Sequence, residues 1–393
     1  MKITEKIPIE FILLVVFPAI VFVSGLYISP SAITSIQGLV FSKSTAHFLF
    51  FGAGFFQVAF IVFYFYLIIK MAIFIKNALR KILFPEEQVP TLPFSVLRKT
   101  LKSVTFLIIV FSAPSVLMLA NMMQIGSTTA TKVANTSNFL MYLDHTLFGV
   151  YVPFWLQKFS HIPILDFILF KSYIFLSVIT SVIFVLLLIK DIDILRRFVA
   201  AFFLAIMLAT PSYYIFPALT PFEMYRNNVT ETVIPENIQT TITPYLEETS
   251  PRVAGLIDGI SSMGSSPEKG YFHVSTFPSM HIAWGTLALY FSFLISVPLG
   301  VVASFWYVFN IFGAMYTMEH YGVDMIGGAL VGMLSIAIVH YLFTRTKKSS
   351  EYPEFFYGIE VFHRDLLWLG ENYRDIFRKV KKFLKSDIRI LFE

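Results

Sequence analysis

The chain contains no cysteine, which excludes thiolate nucleophiles, disulfides and Cys-ligated metal sites. Charge is also scarce: Asp, Glu, Lys and Arg make up 14% of the 393 residues, against roughly a quarter in soluble domains. With 56% hydrophobic residues, 17% aromatic and a mean hydropathy of +0.71, a soluble domain of this length is excluded and a polytopic membrane protein is implied. A net charge of +5 would suggest nucleic acid as a partner in a soluble chain. Here the basic residues fall mainly in a few loops and the tail, so membrane topology accounts for them and no nucleic-acid partner is expected.

Runs without charge occupy Phe11 to Ile28, Phe48 to Ile69, Val104 to Met123, Ser172 to Ile189, Phe198 to Phe222, Ile282 to Met318 and Met325 to Phe343. The run from Ile282 to Met318 is about twice what one helix needs to cross a bilayer core, so it reads as two antiparallel spans with Val297-Pro298-Leu299-Gly300 as the turn. The expectation is an all-α polytopic membrane protein of about eight transmembrane helices, because lipid offers an open backbone no hydrogen-bond partners. Lys2 and Lys6 precede the first span, whose length and lack of a small-residue cleavage site predict a retained anchor rather than a signal peptide.

Lysine and arginine cluster after the second span (Lys76, Arg80, Lys81, Arg98, Lys99, Lys102), after the fourth (Lys190, Arg196, Arg197) and at the start of the tail (Arg345, Lys347, Lys348). By the positive-inside rule these segments are cytoplasmic. Both termini are then cytoplasmic, and loops 124–162, 223–280 and 319–324 lie on the extracytoplasmic side. The chain divides into residues 1–103 (two N-terminal helices and a basic loop), residues 104–343 (a catalytic core carrying the extracytoplasmic loop 223–280) and residues 344–393 (the tail). In the tail, Phe362, Leu366, Leu369, Tyr373, Ile376, Phe377, Val380 and Leu384 recur at helical spacing opposite a basic face, as in an amphipathic helix on the inner leaflet. The segment from Asn138 to Ser160, interrupted by Pro153 and rich in Tyr and Trp, reads as an interfacial or re-entrant piece.

Two short polar motifs bracket the double run: Phe277-Pro278-Ser279-Met280-His281 and Glu319-His320-Tyr321-Gly322-Val323-Asp324. Histidines at the open ends of one transmembrane hairpin emerge at the same membrane face. A neutral imidazole attacks phosphorus, a second imidazole protonates the leaving oxygen, and a carboxylate orients the first ring and stabilises its positive charge. This assigns His320 as nucleophile, Asp324 as its orienting group at helical i,i+4 spacing, and His281 as general acid. Ser279 and the backbone N–H groups that open the following span are a cradle for phosphate oxygens. Arg226, Arg252 and Lys269 in the outer loop are candidate cations for the phosphate, each weighed against being a solvated loop residue. A transporter or scramblase is the rival class, but its polar groups gather near the bilayer midplane rather than at one face.

The motifs Pro278-Ser279-Met280-His281 and His320-Tyr321-Gly322-Val323-Asp324 resemble the later two signatures of the type 2 phosphatidic acid phosphatase superfamily. More narrowly, the chain resembles the inositol-phosphorylceramide synthase (inositolphosphotransferase) branch. Ile215-Phe216-Pro217-Ala218-Leu219-Thr220-Pro221-Phe222 is similar to its Phe-Pro-x-x-Pro-Pro-aromatic segment, Leu143-Asp144-His145-Thr146-Leu147-Phe148-Gly149 to its Asp-x-x-Leu-Phe-Gly segment, and Val253-Ala254-Gly255-Leu256-Ile257-Asp258 to its loop helix. The likeness covers residues 104 to 343. It implies a six-helix catalytic core, a phosphohistidine at His320, proton transfer at His281, a phospholipid or lipid-phosphate substrate, and no metal or organic cofactor. Asp144 is either a contact near the headgroup or an anchor for the interfacial segment, and Phe222 is expected beside the substrate.

Two departures bear on substrate choice. The superfamily's phosphatases carry an earlier Lys-x6-Arg-Pro signature, and their third signature usually begins Ser-Arg; here Gly313-Ala314 stands at that place. Lys190 and Arg197 have the spacing of the first, but Phe198 replaces proline and both are expected on the cytoplasmic side. Loss of these cations suits a phosphodiester donor, so transfer to a hydroxyl acceptor is favoured over hydrolysis of a phosphatidic-acid-like or polyprenyl phosphate.

Overall fold

A computed structural model describes residues 130–226, 236–256 save 247, and 277–345, together with scattered residues at 65–101 and 361–368. The first three expected spans lie wholly or mostly outside the described residues, as do Lys269, most of the tail and the Arg226 side chain. The described part is helical: α1 (Ala130–Phe148), α2 (Val152–Trp155), α3 (Pro163–Ile174), α4 (Leu176–Lys190), α5 (Ile192–Ile215), α6 (Pro221–Arg226), α7 (Glu236–Leu246), α8 (Met280–Ile295), α9 (Val297–Tyr316) and α10 (Gly322–Arg345). By length and composition α9 and α10 can cross a membrane. The pair α3–α4, bent by 54°, makes a third candidate span.

The centre of the bundle is α8, which packs against α4, α5, α9 and α10. Its residues from Ile282 to Ala288 are buried, and no charge interrupts it, as expected of a helix surrounded by other helices. Small residues set the spacing of its neighbours. On α10, a Cβ at Gly332 would lie 2.7 Å from Thr286 Cβ and 2.8 Å from the Ala283 carbonyl oxygen, so glycine there lets the two backbones meet. On α9, a Cβ at Gly313 would lie 2.4 Å from the Leu169 carbonyl oxygen, and Ser172 Oγ donates to Phe309 O (2.8 Å) across the same contact. On α5, Phe202 stacks flat on Trp284 with 4.6 Å between ring centroids.

Three boundaries differ from those read off charge and hydropathy. The fourth expected span, Ser172 to Ile189, falls mainly on α4, and α3 stands before it across the 54° bend. Lys171 ends the charge-free run, yet the helix accommodates it with the ammonium over Phe167, Phe170 and Phe175, a cation–π setting that offsets its desolvation. The hairpin turns at Ser296, which caps α9 by accepting from Leu299 N (3.3 Å), while Val297 and Pro298 form the first turn of α9. Proline is suited to that turn because its missing N–H would have no intrahelical partner. The segment expected to start an interfacial piece at Asn138 belongs to α1, a 19-residue helix that begins at Ala130.

The ends of the bundle are distinguished by charge. Lys190 Nζ donates to the last carbonyls of α8, Leu294 O (2.7 Å) and Ile295 O, the arrangement that a helix C-terminus favours. Arg196 and Arg197 stand over the Phe343 ring near the end of α10. His281 opens α8 at the opposite end. The described tail residues meet the basic end: His363 Nδ1 lies 2.5 Å from Leu188 O, and Asp365 accepts from Tyr66 (2.6 Å) and pairs with Lys70 (2.5 Å). These described tail residues thus touch the second and fourth expected spans, and the rest of the predicted amphipathic stretch lies outside the described residues.

Candidate active site

The two histidine motifs are joined through their backbones. Ser279 N donates to Asp324 O (3.1 Å), so the residue that opens α8 is tied to the first turn of α10. Ser279 also caps α8, its Oγ accepting from Ile282 N (3.3 Å), and it is fully buried. Its N–H and its Oγ, as an acceptor, thus help to place His281 at the start of α8. From α5, Tyr213 OH donates to Pro278 O (3.0 Å) and holds the motif from the other side.

Glycine makes this junction possible. A Cβ at Gly328 would fall 2.3 Å from Ser279 O, and one at Gly327 would fall 2.9 Å from the Phe277 ring. Gly328→Ala must therefore push α8 and α10 apart where the motifs meet. Overpacking of this kind costs about 1–3 kcal/mol; we expect a lower thermal midpoint in detergent together with a fall in turnover, measured on the same purified sample. Unchanged values of both would show that the helices separate at no cost.

His320 lies in the turn between α9 and α10 and is almost wholly buried. Its Nδ1 donates to Asp324 Oδ2 at 3.3 Å, and the same oxygen accepts from Tyr321 N (2.9 Å). Asp324 is fully buried. With Nδ1 carrying the proton toward the carboxylate, Nε2 is left with its lone pair. His281 faces the other wall of the site. Its Nε2 donates to Tyr173 O (2.9 Å), and its ring stacks on that of Tyr173 at 4.1 Å and 15°. The two imidazoles are close enough to interact electrostatically.

The bend between α3 and α4 explains how a carbonyl comes to face His281. Tyr173 sits in the last turn of α3, just before the break at Phe175, where the final carbonyls have no intrahelical partner. Beside the ring, α9 supplies Asn310, whose amide interacts with His281 and lies against Gly285, where a Cβ would come 3.0 Å from Asn310 Nδ2.

A second support comes from α1. Val133, Ser137, Leu140, Met141 and Asp144 recur at helical spacing and are all buried. Ser137 Oγ accepts from Leu219 N (2.9 Å), and Leu219 O in turn accepts from Tyr321 OH (3.0 Å). Phe222, two residues beyond the extended 217–220 segment, donates its N–H to Met318 O (3.3 Å). The Phe-Pro-Ala-Leu-Thr-Pro-Phe stretch thus braces the His320 turn by main-chain contacts. Asp144 Oδ1 accepts from Val323 N (2.9 Å). Burial pushes its carboxyl up to about 6, with hydrogen bonds from Gly322 and Val323 opposing the rise and the charge of Asp324 adding to it. Glu319, partly buried in the turn beside His320, is pushed up to about 7 by burial.

Of the expected cations, Arg252 is the one whose side chain lies among the described residues. Arg252 pairs with Asp166 Oδ2, and Asp166 Oδ1 accepts from Tyr316 OH (2.8 Å), so this arginine ties the loop helix at 251–256 to the end of α9. Ala314, at the place of the usual arginine, is fully buried. Arg226 ends α6.

Sequence reasoning passed over Tyr173, Tyr213, Ser137 and Asn310. Asn310 alone carried a signal, an amide inside a long apolar run; Tyr173 and Tyr213 act on or through backbone carbonyls, which leave no mark in side-chain pattern. Among the described residues no group of three or more His, Asp or Glu side chains is arranged to hold a metal ion.

The arrangement provides one imidazole held through Nδ1 by a carboxylate and, within electrostatic reach of it, a second imidazole held through Nε2 by the Tyr173 carbonyl. That is equipment for in-line displacement at phosphorus. Compared with known families, residues 138–338 match a family model described as PAP2 superfamily, about half of the chain. No curated protein and no solved structure matches.

Proposed function

Since the chain belongs to the PAP2 superfamily, whose members are generally lipid-related phosphatases and phosphotransferases, we propose that it is a membrane phospholipid phosphotransferase working through a phosphohistidine at His320. Nε2 of His320 attacks the donor phosphorus; the bond to the leaving lipid oxygen breaks as His281, entering the step as the imidazolium, delivers the proton of Nδ1 to that oxygen and keeps its Nε2–H on Tyr173 O. Asp324 stabilises the imidazolium. In the second half-reaction His281 takes the proton from an acceptor hydroxyl, which attacks the phosphohistidine and regenerates His320. The site faces the extracytoplasmic side, opposite the end marked by Lys190, Arg196 and Arg197.

The observation that carries this reading is the Ser279 N–H to Asp324 C=O bond at 3.1 Å, which fastens the two histidine motifs into one site. For the choice of reaction, the weight lies on charge. Arg252 is held by Asp166, and Ala314 leaves no cation at the third motif. A phosphodiester carries less charge than a phosphomonoester and asks less of such a site, which favours a phospholipid donor and a hydroxyl acceptor. The inositol-phosphorylceramide synthase-like form of the motifs agrees with this. Hydrolysis of a lipid phosphate by water is the second reading, and the same histidines serve it.

Purified protein given a headgroup-labelled phospholipid is expected to form a labelled lipid product only when a hydroxylated lipid or polyol acceptor is added, and vanadate, a mimic of pentacoordinate phosphorus, is expected to block it. Free phosphate or phospho-headgroup as the sole product would replace the transferase by a hydrolase. Indifference to vanadate would remove the covalent intermediate.

A further inference from the structure

Asp144 lies 179 positions from Val323, outside both histidine motifs, and is 1% exposed. A carboxylate this deep needs compensation. It finds it in the main chain at the start of α10, where Oδ1 accepts from Val323 N (2.9 Å). Asp324 takes the N–H of Tyr321. The amides that open α10 are thus shared between two buried carboxylates. Such amides are otherwise an anion site; here two protein carboxylates take that place.

The fit at Gly322 is tight. A Cβ there would lie 2.9 Å from Asp144 Oδ1 and 2.7 Å from the Phe148 ring. The contact therefore depends on glycine at the one position between His320 and Asp324 where α1 comes closest. We infer that Asp144 is a positioning residue for phosphoryl transfer: by accepting the Val323 amide at the start of α10 it fixes the turn in which Asp324 holds Nδ1 of His320, and it makes no contact with substrate. This rests on the phosphohistidine reading above.

The test is single-turnover phosphorylation of the full-length protein by a headgroup-labelled phospholipid, with acid-labile, base-stable label as readout and thermal midpoint as control. Displacement of a reacting group by about 1 Å costs about 10²-fold, so Asp144→Ala should slow phosphoenzyme formation by about that factor with donor KM within about 2-fold of wild type. Asp144→Asn, whose amide oxygen still accepts from Val323, should recover most of the loss. Gly322→Ala, which disturbs the same contact from the other side, should again lower the rate and spare KM. A raised KM with an unchanged rate in Asp144→Ala would make the residue a substrate contact. An Asn variant as slow as the Ala variant would show that the charge matters and not the hydrogen bond; either result overturns the inference. Wild type that forms no phosphoenzyme would sink the phosphohistidine reading and this inference with it, whereas label forming equally fast in wild type and Asp144→Ala would sink the inference alone.

Discussion

Replacement of His320 by alanine is expected to abolish formation of a phosphoenzyme and to reduce lipid phosphoryl transfer to background. The ring is almost wholly buried and bonded to Asp324 at 3.3 Å, so no other group in the turn can take its place. Loss of a covalent nucleophile removes the pathway rather than slowing it, and reductions of 10⁴-fold or more are of the order seen when one member of such a unit is lost. Fold should survive: Asp324 keeps the hydrogen bond from Tyr321 N, and the main-chain bond from Ser279 to Asp324 does not involve the imidazole. The decisive pair of measurements is labelled-donor turnover and thermal midpoint. Turnover retained with a normal midpoint would remove His320 from the chemistry.

His281→Asn should give a loss of different character. General acid catalysis contributes about 10²–10⁴-fold, and it matters most when the leaving oxygen is a poor one, as a lipid alkoxide is. With a phospholipid donor we expect a fall in that range. With an aryl phosphodiester, whose phenolate leaves without a proton, the loss should shrink to about 10-fold or less on the same reasoning, and His320→Ala should remain inactive toward both. The stacked position of His281 on Tyr173 at 4.1 Å allows the smaller asparagine without strain. An equal loss for both donors would assign His281 to binding or structure instead of proton transfer.

How far the site could be read from sequence depended on where each residue keeps its chemistry. His281, His320 and Asp324 announced themselves because titratable side chains interrupt a long apolar run, and an i,i+4 spacing across Gly322 already suggested that the second pair shares a face. The hairpin that carries them was legible too, from the length of the run between the motifs. What escaped notice works through the main chain. Tyr173 offers a carbonyl at a bend, and that bend lies behind Lys171, which hydropathy reads as the end of a span. Ser279, expected at a phosphate, also serves as a joint that no motif announces: its N–H donates to Asp324 O and its Oγ accepts from Ile282 N. The turn between α8 and α9 was displaced for a related reason, since Pro298 signals a break but is equally at home in a first helical turn.

The brevity of α8 has a consequence for how lipid reaches the histidines. Its 16 residues span about 24 Å at ~1.5 Å per residue, less than the ~30 Å hydrocarbon slab, and any tilt reduces that reach. Lys190 holds the far end by its carbonyls. If that lysine marks the polar border of the bilayer, the deficit falls on the His281 end, and under the proposed mechanism a donor lipid would have to descend into a dimple below the surrounding headgroups before bond exchange begins.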